Sequence, residues 1–310
     1  MMKAIQVHQY GGVEVLQLEE IPTPVPQDDE VLIQVKAAAL NPVDSKIRKG
    51  YLKEMVPTTF PFIPGWEAAG IVTATGKKVT EFKAGDEVFT RTPFQKGGSY
   101  AEYMTAGETE TVIKPASLSF ADAAGLSIVG SAAYTTLFEL AHLKAGQRVF
   151  ILGAGGSVGL LAIQMARAAG AFVIGTATGA DLENVLAAGA DQVVDYKTPP
   201  FADNITDIDL ALDLVGGPAQ ETLWKTLKRE GLLLSTAMPP SPEKAKQYGV
   251  NASFVFTQPN KPVMQKLAAM AGNGLIRMTI GKTLPLADAR QAQTLMDERK
   301  ISGKIILEIK

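Results

Sequence analysis

The segment VFILGAGGSVGLLAIQMARAAGAFVIG, Val149 to Gly175, crowds four glycines into seven residues between an apolar run and a helical pattern. A backbone without Cβ atoms can approach a phosphate closely, and a helix that begins there offers free N–H groups and the positive end of its dipole. The turn aligns as Ala154-x-Gly156-x-x-Gly159, with Gly153 and Gly155 adding backbone freedom and Ser157 and Val158 completing the cradle. The small first residue allows the sharp turn, Gly156 the approach of a pyrophosphate, and Gly159 the close packing of helix on strand. Val158, Leu161, Ala162, Met165, Ala166 and Ala169 follow an i, i+3/i+4, i+7 spacing, one apolar face for a sheet. Strand, turn, helix and following strand occur in order, so the segment reads as a dinucleotide cradle rather than a tight turn.

An NAD site usually ends its second strand with an acid for the ribose 2′-hydroxyl. Here that strand ends GTAT, with Ala177 flanked by Thr176 and Thr178, and Asp181 comes later, in the loop. The missing acid favours a 2′-phosphate, hence NADPH over NADH, with the two threonines as donors and Tyr196 on the next strand nearby. Against this, no Lys or Arg occurs from Ala168 until Lys197. Gly216 and Gly217, in DLVGG, end a further strand where the missing side chains leave room for the nicotinamide ribose.

Elements must hold these residues in place. From Met1 to about Ala121 the chain gives short strands with turns, such as EVLIQVKAAAL, AAGIVTATG, DEVFTR and ETVIKP, and one short helix near Asp44. From about Asp122 to Gly272 apolar strands (RVFILG, AFVIGTAT, DQVVDY, DLALDLV, LLLSTA, NASFVFT) alternate with helical patterns (SVGLLAIQMARAAG, DLENVLAAG, AQETLWKTLKREG). That alternation implies a parallel sheet covered on both faces. The end of the chain, 273–310, returns to mixed elements and closes on the strand GKIILEIK, which can rejoin the first region's sheet.

The composition bounds the function. With 310 residues, 20% charged and 46% hydrophobic, the chain can bury a real core, and a net charge of −2 without a basic run argues against nucleic acid as a partner. It has no cysteine, which removes disulfides, thiolate catalysis and every zinc site that needs sulfur. No apolar run is long and unbroken enough for a membrane span, and no signal-peptide pattern opens the chain, so a cytoplasmic protein is expected.

The segments AAALNPVDSKIRKG (Ala37–Gly50), FIPGWEAAGIV (Phe62–Val72), GGSYAEY (Gly97–Tyr103), the glycine turn, DLVGG and SGKIILEI (Ser302–Ile309) together make the chain resemble the medium-chain dehydrogenase/reductase superfamily, in its zinc-independent quinone oxidoreductase branch. The resemblance implies an α/β protein: a Rossmann parallel-sheet domain over 122–272, and a GroES-like, mostly β catalytic domain from both chain ends, 1–121 and 273–310, with the active site in the cleft. It also implies a homodimer, and NADPH-dependent hydride transfer to a quinone or to the activated C=C of an α,β-unsaturated carbonyl. Zinc-dependent members place Cys where this chain has Asn41 and His where it has Trp66. Neither can complete a zinc tetrahedron here, and Trp66 is expected as an aromatic wall of the substrate cleft.

Without a metal, charge developing on the acceptor oxygen must be met by hydrogen-bond donors, and a proton must come from a side chain or water. The catalytic candidates are Asn41 and Lys46. Asn41 matches the family's cleft asparagine, and NPVD is equally a helix start with Asn41 as N-cap, Pro42 first and Asp44 reaching back. Lys46 stands where relatives carry Tyr or a proton-relay His, and with Arg48 and Lys49 it also fits a solvated helix face. Tyr51 is expected at the rim of the cleft and Phe94 as an apolar wall, while Glu67 matches a buried acid suited to an ion pair. A different class of function, an NADPH-binding sensor or crystallin-like protein with little turnover, fits the same cradle.

Overall fold

Val31, Ile33 and Val35 are buried while the residues between them are only half so, and this two-residue period makes Glu30–Ala39 a strand with one face on a core. The computed structural model describes residues 1–198 and 200–310. It begins with strands β1 (Met2–Gln6), β2 (Gln17–Ile21) and β3 (Glu30–Ala39), then helix α1 (Pro42–Arg48). Strands β4 (Glu67–Thr75), β5 (Glu87–Arg91), β6 (Tyr103–Gly107) and β7 (Thr111–Ile113) precede helix α2 (Phe120–Tyr134). Next come β8 (Arg148–Leu152), α3 (Ser157–Ala168), β9 (Phe172–Ala177), α4 (Asp181–Ala187), β10 (Gln192–Asp195), β11 (Ile208–Asp213), β12 (Leu227–Ser235), α5 (Pro242–Tyr248) and β13 (Asn251–Phe254). The chain ends with α6 (Lys261–Gly272), β14 (Ile280–Pro285), α7 (Ala289–Asp297) and β15 (Lys304–Glu308).

Two compact units result: Met1–Ile128 with Gln258–Gly272 and Met278–Lys310, and Val129–Thr257 with Asn273–Arg277. In the first, a sheet of order β14-β15-β3-β4-β5-β7 carries β6 on β3 and is antiparallel except where β14 meets β15. The C-terminal strand β15 pairs antiparallel with β3, Ile306 opposite Ala39. Residues 258–272, which the sequence groups with the parallel-sheet region, belong to this unit. Met264 and Ala268 of α6 pack with Phe89 and Ala124, an apolar face that the first unit's core covers.

In the second unit six strands run parallel in the order β10-β9-β8-β11-β12-β13. Val149 to Leu152 are all buried, as a central strand covered on both faces must be. The expected helix over AQETLWKTLKREG does not form. Gly217–Thr222 make a 3-10 turn opened by Pro218, and β12 begins at Leu227. The apolar residues there, Leu223, Trp224 and Leu227, suit a helical face, but they enter the core from a turn, and Lys228 then pairs with Asp209 of β11. Among the described residues no helix is long and apolar enough to cross a membrane.

Candidate functional site

In the second unit, parallel pairing puts the carboxyl ends of β10, β9, β8 and β11 side by side, and the residues singled out for a dinucleotide follow those ends. The glycine turn follows β8, Thr178 follows β9, Tyr196 follows β10, and Gly216 and Gly217 follow β11. The carboxyl edge of an open α/β sheet is where ligands bind in such folds. Gly153 has φ +86°, open only to glycine at low cost, and its N–H donates to Thr176 Oγ1 at 2.9 Å. Thr176 is thus buried and ties the turn to β9, whereas Thr178 is half-buried and Tyr196 exposed.

Gly156 is the N-cap of α3, with Ser157 and Val158 opening the helix, both half-buried. A Cβ at Gly156 would meet only Gly153 O, at 3.5 Å, so the space over the turn is open to a ligand. A Cβ at Gly159 would lie 2.5 Å from Ala154 O, which is why helix and strand pack only with glycine there. Gly155 is crowded from the other side: a Cβ there would lie 2.8 Å from Asp181 Cβ. After β11, the buried Asp213 accepts from the N–H groups of Val215 (3.0 Å) and Gly216 (2.8 Å), from Gln220 Nε2 and from Ser235 Oγ. That carboxylate holds Gly216 at φ +75°, and Gly217, at φ +61°, donates its N–H to Met238 Sδ at 2.8 Å. The turn and the open space over Gly156 fit a dinucleotide pyrophosphate.

In the first unit, Asn41 ends the extended run after β3 and starts α1. Asp44 Oδ2 accepts from the Asn41 N–H at 2.9 Å, and Pro42 opens the helix, as the NPVD pattern implies. The Asn41 side chain, 2% exposed, accepts from Lys304 Nζ at 2.5 Å and donates to Glu67 Oε1 at 2.8 Å. Glu67 is fully buried, 2.9 Å from Lys304 Nζ, and takes further bonds from Ser127 Oγ (2.8 Å) and the Ile128 N–H (2.7 Å). Arg91, buried at the end of β5, has its pKa lowered to about 10 by burial, which the charge of Glu67 partly offsets.

Behind α1 lies a second buried group. Tyr100 donates to Asp44 Oδ2 at 2.7 Å. Burial pushes the Asp44 carboxyl up to about 7, against the pull of the Asn41 N–H and the Tyr100 hydroxyl, and holds the Tyr100 phenol well above its ordinary value. Arg48, fully buried, donates to Gln293 Oε1 and to Gly11 O, both at 2.7 Å, so it is not part of a solvated face. Lys49 pairs with Asp297 at 2.7 Å. Lys46 is exposed on α1, and Tyr51 is 74% exposed beyond it.

Trp66 and Phe94 do come together, their rings 5.9 Å apart and the Trp66 indole donating to Phe94 O at 2.9 Å. They line a pocket of about 350 Å³ with Ile47, Phe62, Pro57 and Lys96. Lys46 and Tyr51 are not in its wall. Among the described residues no three His, Cys, Asp or Glu side chains are grouped to hold a metal ion.

Sequence reasoning missed Lys304, Ser127 and Asp213. Lys304 carried a signal: it shares a strand face with Ile306, so a cation points inward where Glu67 also does. Asp213 sits at the end of an apolar strand just before two glycines, where a carboxylate that gathers turn N–H groups belongs.

The profile of the alcohol dehydrogenase GroES-like domain matches residues 27–117, and that of the zinc-binding dehydrogenases matches 188–307. A quinone oxidoreductase of Sus scrofa is 34% identical over 325 residues, covering 99% of this chain and 98% of its own. Among solved structures, the quinone oxidoreductase of Coxiella burnetii has a TM-score of 0.91 at 32% identity, with 100% and 99% of the two chains covered. That of Escherichia coli, solved with NADPH, has a TM-score of 0.90 at 28% identity, with 99% of each chain covered. The chain therefore belongs to the medium-chain dehydrogenase/reductase superfamily, in its quinone-oxidoreductase-like branch.

Proposed function

We propose that the protein is an NADPH-dependent oxidoreductase that reduces a quinone or the activated C=C of an α,β-unsaturated carbonyl without a metal ion. The observation that carries this reading is the glycine turn at the carboxyl end of β8, held by Thr176 and open over Gly156. The kinship with quinone oxidoreductases, one of them solved with NADPH, supports it.

A bound reduced nicotinamide dinucleotide supplies a hydride for an electrophilic carbon. The chain's part is to hold and orient. The backbone N–H groups of Ser157 and Val158 would take the pyrophosphate at the positive end of α3, while that of Gly156 closes the turn on Gly153 O. Ala154, Gly155 and Gly159 keep the turn low, and Gly216 and Gly217 leave room for the nicotinamide ribose. Thr178, Tyr196 and Lys197, beyond the ends of neighbouring strands, would receive the 2′-phosphate. In the first unit, Trp66 and Phe94 form an apolar wall for the acceptor, with Tyr51 at the rim. Asn41 meets the oxygen on which charge develops, and Lys46 relays the proton. Metal chemistry lacks donors here: the chain has no thiolate, Asn41 is engaged by Lys304 and Glu67, and the Trp66 indole by Phe94.

The test is the initial rate of NADPH oxidation with 1,4-naphthoquinone, 3-buten-2-one, an enoyl thioester and a saturated aldehyde, each repeated with NADH and with a chelator. Chelator-insensitive turnover on the quinone or ketone, faster with NADPH, is expected. Tight NADPH binding without turnover would instead favour the sensor-like reading. Lys46→Ala should lower kcat more than NADPH affinity, and an unchanged kcat removes Lys46 from the mechanism.

A further inference from the structure

The buried contact between Lys304 and Asn41 joins residues 263 positions apart and has a chemical consequence beyond packing. An ammonium can only donate hydrogen bonds and an ionised carboxylate can only accept them. Lys304 Nζ therefore fixes which Asn41 atom is the oxygen, and Glu67 fixes which is the nitrogen. Turning the amide over would put N–H against an ammonium and C=O against a carboxylate, two repulsive contacts inside 3 Å. Asn41 Nδ2 carries two hydrogens, and Glu67 takes one.

We propose that Lys304 is a positioning residue that, with Glu67, locks the Asn41 amide so that its second N–H is a fixed donor for an oxygen of the bound ligands. This rests on the reductase reading above. Asn41 can then steady a carbonyl or hydroxyl oxygen through Nδ2, and its oxygen is held away by the ammonium. The surroundings are built for this lock. Ser127 and the Ile128 N–H occupy the other carboxylate oxygen, so Glu67 cannot turn away from Asn41. Helix α2 has glycine where the lysine stem passes: a Cβ at Gly125 would lie 3.2 Å from Lys304 Cγ. A buried ion pair is a poor way to gain stability, since apolar residues of the same shape serve as well, so its orienting effect is the better account of it.

Removing Lys304 alone strands the Glu67 charge, so the test uses the isosteric double variant Glu67→Gln/Lys304→Met, with Lys304→Arg as the conservative control. Each is compared with wild type for thermal midpoint, NADPH affinity by tryptophan fluorescence, and kcat and KM with 1,4-naphthoquinone. A folded double variant is expected, with NADPH affinity within about 3-fold of wild type and kcat down by about 10- to 100-fold, and Lys304→Arg alone should retain most of the wild-type kcat. The side-chain amide signals of Asn41, assigned by their loss in Asn41→Ala, should form one pair in wild type and broaden or double in the double variant. A folded double variant with wild-type kcat, or with an unchanged amide pair, overturns the proposal. Wild-type protein that turns over no acceptor, yet whose amide pair responds as described, would sink the reductase reading while upholding the lock.

Discussion

Asp181 opens α4 with its side chain against Gly155, so close that the glycine cannot be replaced without moving it. A carboxylate beside the glycine turn would repel a ribose 2′-phosphate and suit a 2′-hydroxyl. Its charge therefore works against the NADPH preference that Tyr196 and Lys197 would provide. Asp181→Ser should raise NADPH affinity relative to NADH by about 3- to 10-fold, read by fluorescence titration with each cofactor. Equal changes for both would show that the carboxylate does not face the 2′ position. The glycine turn was legible in the sequence because each of its residues has a backbone reason to be small. Lys304 was only faintly so: it shares a strand face with Ile306, yet a lysine in a strand reads as a surface residue until the partner strand is known. Arg48 misled in the same way: Lys46 and Lys49 stand close by in sequence, and only Gln293 and Gly11, distant in sequence, explain its burial.

Helix α1 is short, seven residues, and it is held from behind by buried polar groups rather than by its own propensity. Asp44 is central to that support, with a folded value of about 7 against an ordinary 3.8. The folded state keeps a proton that the unfolded chain gives up. This group's contribution is therefore complete below pH about 3.8 and lost as pH rises through about 7. Compared with Asp44→Asn, wild type should lose up to about 4 kcal/mol between pH 4 and pH 8, measured by urea unfolding at several pH values. A stability gap that stays flat with pH would mean that Asp44 remains ionised in the fold. Most elements could be read from their periodicity, including α3 and the return of β15 to the first sheet. The stretch AQETLWKTLKREG could not, because Leu223, Trp224 and Leu227 satisfy a helical face and a turn-to-strand entry equally well. What decides is the pairing of Leu227 with Ile208, which no local pattern records.

At the scale of the molecule, the six-stranded sheet ends at β13, whose outer side pairs with no other strand among the described residues. Phe254 and Phe256 lie there at 38% and 40% exposure. An open edge with aromatic residues is a template for pairing between copies. Light scattering at micromolar concentration should give twice the chain mass of 32.9 kDa, and a stable monomer would refute this. The link between Lys304 and Asn41 also bears on how the protein is made. A ribosome delivers Asn41 and Glu67 early and Lys304 only after the whole of 129–257 has emerged. The second unit's six-stranded sheet can close on its own strands during synthesis. The first unit must meanwhile wait without β15 on β3 and with Arg91 but not Lys304 as a counter-charge for Glu67, which leaves it in need of protection on the nascent chain.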